Sequence, residues 1–120
     1  MNKIIFYKTD SGNNPVQKFI DSLSDKQAKK VAWVLRLVRD LKTTPIKYFK
    51  KLVNSNDIWE VRVQMGSNIF RFLGFYDGPQ LIILTNGFQK KSQKTPKREI
   101  ELANNRKQNY LKRRKRDGRP

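Results

Sequence analysis

The feature that most constrains the fold is an apolar run followed directly by a basic segment, between Leu81 and Pro96. Residues 81–84 read Leu-Ile-Ile-Leu, and a short run that is apolar at every position is typical of a strand buried on both faces of a sheet. Asn86 and Gly87 then predict a break in the chain. We therefore expect a central strand that ends close to residue 85.

The segment after this predicted strand is cationic. It contains one aromatic residue and three lysines: Phe88, Lys90, Lys91 and Lys94. Thr95 and Pro96 are residue types preferred at the N-cap and at the first position of a new helix. The sequence thus predicts a rigid strand that delivers a basic loop to one end of a sheet, which is a suitable place to bind a phosphate.

The net charge of +17 indicates a polyanionic partner. Residues 86–120 contain thirteen Lys or Arg and three acidic residues, so they hold +10 of that charge. A membrane surface would also attract such a charge, but the sequence has neither a long apolar stretch nor a basic amphipathic helix with a strong aromatic face. We therefore expect nucleic acid as the partner, and no membrane.

The composition also excludes several kinds of chemistry. The chain contains no cysteine and no histidine, so disulfides, thiolate catalysis and zinc sites of the usual nitrogen and sulfur type cannot form. We predict no metal site and no cofactor. The apolar run near the first residue is too short for the central region of a signal peptide, and we expect a cytoplasmic protein.

The first part of the chain predicts one strand and two helices. Residues 3–8 are β-branched and aromatic, which is typical of a strand. Two pairs of residues have the types and spacing of helix N-termini. These pairs are Asn14 with Pro15, and Ser24 with Gln27 in the spacing of a capping box. We expect a short helix and a longer one, ending near residue 41, that form a hairpin on one face of the sheet.

The connection over residues 42–56 is irregular and basic, with a short strand predicted near Leu52. Its lysines Lys47, Lys50 and Lys51 have two interpretations. They belong either to a solvated surface loop or to a positive surface that continues from the basic loop.

From residue 57 onward the pattern changes to a period of two. Residues 57–65 and 68–77 alternate in polarity and are separated by Gly66 and Ser67, and a second turn precedes the apolar run. Three consecutive strands joined by tight turns predict an antiparallel meander.

Three charged residues interrupt these strands. Glu60 and Arg62 lie on the face opposite Trp59, whereas Arg71 lies between apolar neighbours on one face of the following strand. Arg71 is therefore either an edge residue that extends to solvent or a charge held in a cleft.

A weaker amphipathic pattern after Pro96 predicts a basic C-terminal helix. The like-charge block that starts at residue 112 should fray and remain solvated. The sequence thus predicts a single α+β domain over residues 1–111 and a basic, disordered tail over residues 112–120.

This element order, together with three segments, resembles the phage-derived HigB-like branch of the RelE/ParE toxin superfamily. The segments are Asp57-Ile58-Trp59-Glu60-Val61-Arg62, Asn68-Ile69-Phe70-Arg71-Phe72, and the stretch from Leu84 to Pro96. The most specific of them is the Gly-Phe-x-Lys-Lys-x-x-Lys-Thr-Pro run that begins at Gly87. The resemblance implies a RelE-like fold with an N-terminal strand, a helical hairpin, an antiparallel three-stranded meander and a C-terminal helix.

The resemblance also implies a function. It points to the toxin of a type II toxin-antitoxin pair, a metal-independent endoribonuclease that cleaves mRNA on the ribosome and thereby inhibits translation. The expected partners are mRNA, the ribosome and a helix-turn-helix antitoxin of the HigA type.

Certain residues suit this chemistry. Arg62 and Arg71 are the predicted catalytic cations, because a guanidinium can bind two oxygens of a phosphate that gains negative charge. Lys90 or Lys91 is the predicted acid or base, since a lysine crowded by other cations has a lowered pKa. Glu60 is a further candidate for proton transfer if it reaches the same cleft; otherwise it forms a surface ion pair with a cation on a neighbouring strand.

RNA binding is predicted at Lys50, Lys51, Phe88 and Lys94. Phe88 has two interpretations, because it could stack on a nucleobase or close the end of the core. Without histidine, we expect weak intrinsic nuclease activity and reliance on the ribosome to orient the message. Two other functions remain open, namely a ParE-like toxin that inhibits gyrase without cutting RNA, and a non-enzymatic RNA- or ribosome-binding module.

Overall fold

The computed structural model describes residues 1–91 and 94–117 of the chain. Within those ranges the fold is α+β, as predicted. In chain order the elements are β1 (Lys3–Phe6), α1 (Pro15–Asp21), α2 (Asp25–Asp40), β2 (Phe49–Lys51), β3 (Trp59–Met65), β4 (Asn68–Tyr76), β5 (Leu81–Lys90) and α3 (Lys97–Arg116).

Both predicted N-terminal helix signals are confirmed. The Asn14 side chain accepts a hydrogen bond from the Gln17 amide, and α1 begins at Pro15. The Ser24 hydroxyl and the Gln27 side chain each bind the other residue's backbone amide, which is a complete capping box.

The five strands form one mixed sheet in the order β1-β5-β4-β3-β2. β3, β4 and β5 pair antiparallel in sequence, which confirms the predicted meander. β1 pairs parallel with β5, so the apolar run Leu81–Leu84 lies in the interior of the sheet. β2 lies just before Leu52, where a short strand was predicted, and pairs antiparallel with β3.

Helices cover both faces of the sheet. α1 and α2 pack on one face, where Val16, Val31 and Val34 join a core that includes Phe70 and Phe72. α3 packs on the other face, where Ala103 contacts a second core built on β4 and β5. The prediction of a helical pair on one face is thus confirmed, and α3 covers the opposite one.

The predicted strand end at Asn86 and Gly87 is wrong, because β5 continues to Lys90. Asn86 and Gly87 pair with Leu73 and Phe72 of β4, so the longer neighbouring strand holds them extended. A side chain at Gly87 would collide with the rings of Phe72 and Phe19, which makes this glycine a packing requirement rather than a turn signal.

A β-bulge at Thr85 changes which residues of β5 face α3. Leu73 pairs with Asn86 but Gly74 pairs with Leu84, so Thr85 is an extra residue in β5. Its hydroxyl lies 3.1 Å from the Leu73 carbonyl oxygen, and its own carbonyl accepts a bond of 2.8 Å from Arg106 Nη1 of α3. The side chains after the bulge therefore alternate in the opposite sense from those before it.

The start of α3 also differs from the prediction. Pro96 occupies the N-cap position and Lys97 is the first helical residue, without a side-chain cap. Thr95, predicted as the cap, instead donates its hydroxyl to Glu60 Oε2. A buried carboxylate is the stronger acceptor for this hydroxyl, so tertiary structure overrides the local capping preference.

The predicted tail is helical over its described part. α3 continues to Arg116. Arg113 donates to the Lys8 carbonyl at 2.5 Å, and Arg114 forms an ion pair with Asp77. These tertiary partners hold the like-charge block in place. Residues 118–120, the end of the predicted tail, lie outside the described residues. In the described part of the chain, no helix is long and apolar enough to cross a membrane.

We predict that Arg106→Met lowers the free energy of unfolding by about 1–3 kcal/mol, because the buried Thr85 carbonyl loses its charged donor. Chemical denaturation measures this change. Lys112→Met is the matched control, since it also removes one charge from α3 but at an exposed position. An equal change in the free energy of unfolding for the two substitutions would mean that the stability of the bulge does not depend on Arg106.

Candidate active site

A single buried carboxylate organises the charged residues of the sheet. Glu60 is 1% exposed, and its Oε1 atom accepts a hydrogen bond of 3.2 Å from Arg62 Nε. The same oxygen lies 3.4 Å from Arg71 Nε, while Oε2 accepts the hydroxyl of Thr95. Glu60 therefore accepts hydrogen bonds from its own strand and from the segment before α3, and it forms an ion pair with the next strand.

Strand register explains why these side chains meet. Arg62 lies directly opposite Arg71, and Arg71 lies directly opposite Phe88 across the next strand pair. Two pairs further along β4, and thus on the same face, Ile69 lies opposite Lys90. Residues paired in this way share a face, so the two arginines, Phe88 and Lys90 all project on the side of the sheet that α3 covers.

Arg71 was predicted to be either an edge residue that extends to solvent or a charge held in a cleft. The structure matches the second interpretation. Its side chain is nearly buried, and its Nη1 donates to the Phe70 carbonyl at 3.1 Å. Burial lowers the pKa of Arg71, and the negative charge of Glu60 partly offsets this effect. Arg71 Nε is within ion-pair distance of Glu60 but has no hydrogen-bond partner among the described residues. Glu60 thus stabilises this guanidinium mainly through its opposite charge rather than through a hydrogen bond.

Lys90 is 6% exposed and shares this environment. Burial lowers its pKa first, the positive charge of Arg71 lowers it further, and Glu60 acts in the opposite direction. The predicted lowering of a lysine pKa is therefore present at Lys90, with burial as a larger cause than crowding by cations. No hydrogen bond from its ammonium is found within residues 1–91 and 94–117.

A groove of about 560 Å³ opens beside this cluster. Arg62 and Arg71 line one end of it. Its other lining residues come from α2, from the segment before β2, from the end of β3 and from the β3–β4 turn: Lys30, Lys47, Tyr48, Gln64 and Gly66. The groove contains four cations and no acidic lining residue, so it suits a phosphate-bearing ligand.

The other predicted RNA-binding residues lie at different distances from the cluster. Lys50 is exposed and lies opposite Glu60 in the β2–β3 register, so it borders the site. Lys51 projects on the other face and pairs with Asp57 at 2.8 Å, which separates it from the cluster. Phe88 is half-buried and packs against the core under α3. It therefore closes the end of this core beside Arg71.

Lys91 and Lys94 flank the two undescribed residues and are both exposed. Lys91 directly follows β5, so it lies next to Lys90 but outside the buried cluster. The structure thus brings together Arg62, Arg71, Lys90 and Glu60, and leaves Lys91 and Lys94 at the solvent side.

Several residues of the site escaped the sequence analysis. Thr95 looked like a helix cap, and nothing local indicates that its hydroxyl reaches a carboxylate 35 positions away. Lys30 and Tyr48 line the groove but were not predicted, because no local pattern distinguishes them. Asn86 looked like a turn residue, yet its amide donates to Glu99 Oε1 at 3.0 Å and tethers the start of α3.

Comparison with known proteins identifies relatives of the chain. Residues 18–108 match the family model described as phage derived protein Gp49-like. The chain is also 38% identical over 102 residues to a protein named probable endoribonuclease HigB1 in Mycobacterium tuberculosis strain CDC 1551 / Oshkosh. That alignment covers 82% of this chain and 76% of the relative. The protein of the same name in strain ATCC 25618 / H37Rv matches equally well.

We predict that Glu60→Gln lowers the free energy of unfolding by about 3 kcal/mol, because two arginines, one nearly buried, lose their shared counter-charge. Gln preserves the shape of the side chain and an oxygen for Thr95. The loss of stability therefore measures the effect of removing the negative charge. The double variant Glu60→Gln/Arg71→Met should recover part of the loss in denaturation experiments. Additive losses in the double variant would contradict the coupling.

Lys90→Met should stabilise the protein at neutral pH. A lysine with a lowered pKa is harder to protonate in the folded state, so its charge opposes folding below that pKa. As the pH rises from the lowered pKa to the ordinary one, the folded wild type holds fewer protons than the unfolded chain and gains stability. The difference in free energy of unfolding between Lys90→Met and the wild type should therefore decrease as the pH rises, as measured by denaturation curves at several pH values. A difference that does not change with pH would contradict the assignment.

Proposed function

We infer that this chain, which belongs to the phage-derived HigB-like branch of the RelE/ParE toxin superfamily, is the toxin of a type II toxin-antitoxin pair and an mRNA endoribonuclease. We further propose that it has a RelE-like fold, acts on the ribosome and inhibits translation. The observation that carries the proposal is the convergence of Arg62 and Arg71 on a basic groove, with Lys90 on the same face of the sheet.

The proposed reaction needs no metal. The ribose 2′-oxygen attacks the adjacent phosphorus, the bond from phosphorus to the 5′-oxygen breaks, and the products are a 2′,3′-cyclic phosphate and a 5′-hydroxyl. One group must take the 2′-proton, another must protonate the leaving oxygen, and cations must stabilise the additional negative charge on the phosphorane.

Arg62 and Arg71 fit the stabilising role. They lie side by side on adjacent strands and both line the groove, so together they can bind two non-bridging oxygens of one phosphate. Glu60 holds Arg62 Nε at 3.2 Å and lies beside Arg71, which fixes the direction of both guanidinium groups before the substrate arrives. We propose Glu60 as a positioning residue, because its buried carboxylate already accepts hydrogen bonds from Arg62 and Thr95 and forms an ion pair with Arg71.

Lys90 fits the proton-transfer role. Its lowered pKa makes the neutral amine more accessible than it is for an exposed lysine, so it can take the 2′-proton or exchange a proton with the leaving oxygen. Lys91, which is exposed next to it, is proposed to bind an adjacent phosphate rather than to replace Lys90 in catalysis.

The surrounding residues suit RNA binding. Lys50 borders the cluster and Lys94 is exposed beyond the end of β5, so both can contact phosphates that flank the cleaved bond. Phe88 lies opposite Arg71 and remains half-buried, so we propose that one edge of its ring contacts a nucleobase. Lys51 is paired with Asp57 on the other face, and we give it only a long-range electrostatic role.

The site explains the proposed dependence on the ribosome. It offers cations and one perturbed lysine but no histidine, so efficient cleavage requires that the RNA backbone be held in line for attack. An A-site codon held by the ribosome would supply this geometry. The remaining proposed partner is a helix-turn-helix antitoxin, acidic where it meets the basic surface, and the proposed location is the cytoplasm.

The first test is expression of wild type, Arg71→Ala and Arg62→Ala in cells, with growth followed alongside primer extension on an abundant message. The wild type should arrest growth and produce cuts within translated codons, and each variant should lose about 10²–10³-fold in cleavage. Arg62→Ala is included because it leaves the Arg71–Glu60 pair in place. Arg36→Ala is the matched control, since it removes one exposed charge on α2 outside the groove.

The outcomes of this test separate the candidate functions. Equal cleavage by Arg36→Ala and Arg62→Ala would remove the arginines from the site. Growth arrest without cuts would contradict the nuclease and support a gyrase inhibitor. An absence of both arrest and cuts in wild-type cells would support a binding module without catalysis.

A second prediction concerns the ribosome. Purified protein should cut a message in a reconstituted translation reaction at least 100-fold faster than the same message free in solution, because free RNA samples the in-line geometry rarely. Gel analysis of end-labelled RNA measures both rates. Similar rates with and without ribosomes would show that the protein itself supplies the orientation.

A further inference from the structure

An exposed tryptophan lies outside the proposed catalytic cluster and has no assigned role. Trp33 projects from α2 and is 40% exposed, although its neighbours Val31 and Val34 are buried in the core. An exposed tryptophan of this size on a helix surface is an apolar element without an evident structural function.

Trp33 is part of an ordered aromatic and basic group. Its ring meets the ring of Tyr48 edge to face, with 5.6 Å between the centroids and an interplanar angle of 87°. The ammonium of Lys30 lies 4.6 Å from the centroid of Trp33, and that of Lys47 lies 5.5 Å from the centroid of Tyr48. We call these four residues the aromatic platform.

The aromatic platform is continuous with the cluster around Glu60. Three of its members, Lys30, Lys47 and Tyr48, line the same groove as Arg62 and Arg71. The backbone connects them as well, because the amide of Arg62 donates to the Tyr48 carbonyl at 2.8 Å. A chain-like ligand bound to the two arginines can therefore reach Tyr48 and the two lysines within the groove, and Trp33 lies against Tyr48 next to it.

We propose that the aromatic platform is a base-stacking subsite for single-stranded RNA, positioned to hold a nucleotide that flanks the cleaved phosphate. This inference rests on the proposed function. A base would stack on Trp33 in the place that the Lys30 side chain covers in the free protein, and the lysine ammonium would move to a neighbouring phosphate. Alternation of aromatic rings and cations is the arrangement that proteins use to bind single strands without sequence preference.

The charge of the groove favours RNA over an acidic protein segment as the occupant. An acidic peptide would satisfy the lysines but offers no planar base for the ring of Trp33. RNA offers a phosphate for the cations and a planar base for the ring in each nucleotide. Access at the edge of the sheet also suits a single strand rather than a duplex.

The test uses the full chain and a labelled 2′-O-methyl RNA hexanucleotide, which cannot be cleaved because its 2′-oxygens are blocked. Fluorescence anisotropy measures the dissociation constant for wild type, Trp33→Ala and Trp33→Phe. We expect about tenfold weaker binding by Trp33→Ala and binding within about threefold of wild type by Trp33→Phe, which retains a ring. Val53→Ala is the matched control, because it truncates an exposed apolar residue outside the groove.

Intrinsic fluorescence provides a second readout, since the chain contains only Trp33 and Trp59. Trp59 stacks on Phe49 with 4.7 Å between the centroids, so an RNA base cannot reach that face of its ring. Binding of the hexanucleotide should quench the emission of wild type and of Trp59→Phe to a similar extent. The emission of Trp33→Phe, which reports Trp59 alone, should change little.

Unchanged affinity of Trp33→Ala together with unquenched emission would overturn the inference, even for a chain that cleaves mRNA in cells. Protection of Trp33 by an acidic partner protein without quenching by RNA would also overturn it and assign the platform to a protein interface. Conversely, quenching and a tenfold loss of affinity would support the subsite even if no cleavage occurred, so failure of this inference and failure of the nuclease proposal are distinguishable.

Discussion

One extra residue in β5 determines which side chains project on the face of the sheet that α3 covers. Side chains alternate along a strand, so without the bulge at Thr85 both Phe88 and Lys90 would project toward α1 and α2. The bulge reverses this alternation halfway along β5, after the apolar run has filled the interior of the sheet. α3 holds the bulge through Arg106, and its start is tethered by the Asn86–Glu99 bond, so the helix and the strand irregularity depend on each other.

The placement of Lys90 brings three cations together and therefore requires a compensating charge. Arg62 and Arg71 face each other directly across two strands, and like charges in such a pair are destabilising. Glu60 relieves the repulsion from a buried position between them, where its own charge would be unfavourable without the arginines. The same interactions keep the cations oriented in the absence of RNA. One carboxylate thus both stabilises the cluster and orients the arginines for the phosphate-binding role that we propose.

The sequence predicted those features that depend on neighbouring residues. The caps at Asn14 and Ser24 and the alternation along β3 and β4 are local signals, and the structure follows them. The extent of β5 was not predictable in this way, because Asn86 and Gly87 are turn formers that only pairing with β4 holds extended. The contact of Thr95 with Glu60 joins distant segments, and α3 persists beyond residue 112 because Arg113 and Arg114 have tertiary partners. The residue types of the cluster were evident from the sequence. How deeply these residues are buried, and which contacts position them, was not.

The short length of β2 gives the site its access. β2 pairs with β3 from Trp59 to Val61, and the Arg62 amide still bonds to the Tyr48 carbonyl, so among the described residues the part of β3 after Arg62 has a neighbouring strand, β4, on one side only. Arg62 can therefore line a groove that also contains Lys30 of α2, although α2 covers the opposite face of the sheet. In the proposed function, a single RNA strand passes around this edge and contacts both the cluster under α3 and the aromatic platform beside α2. A longer β2 would pair with this edge and separate the two surfaces.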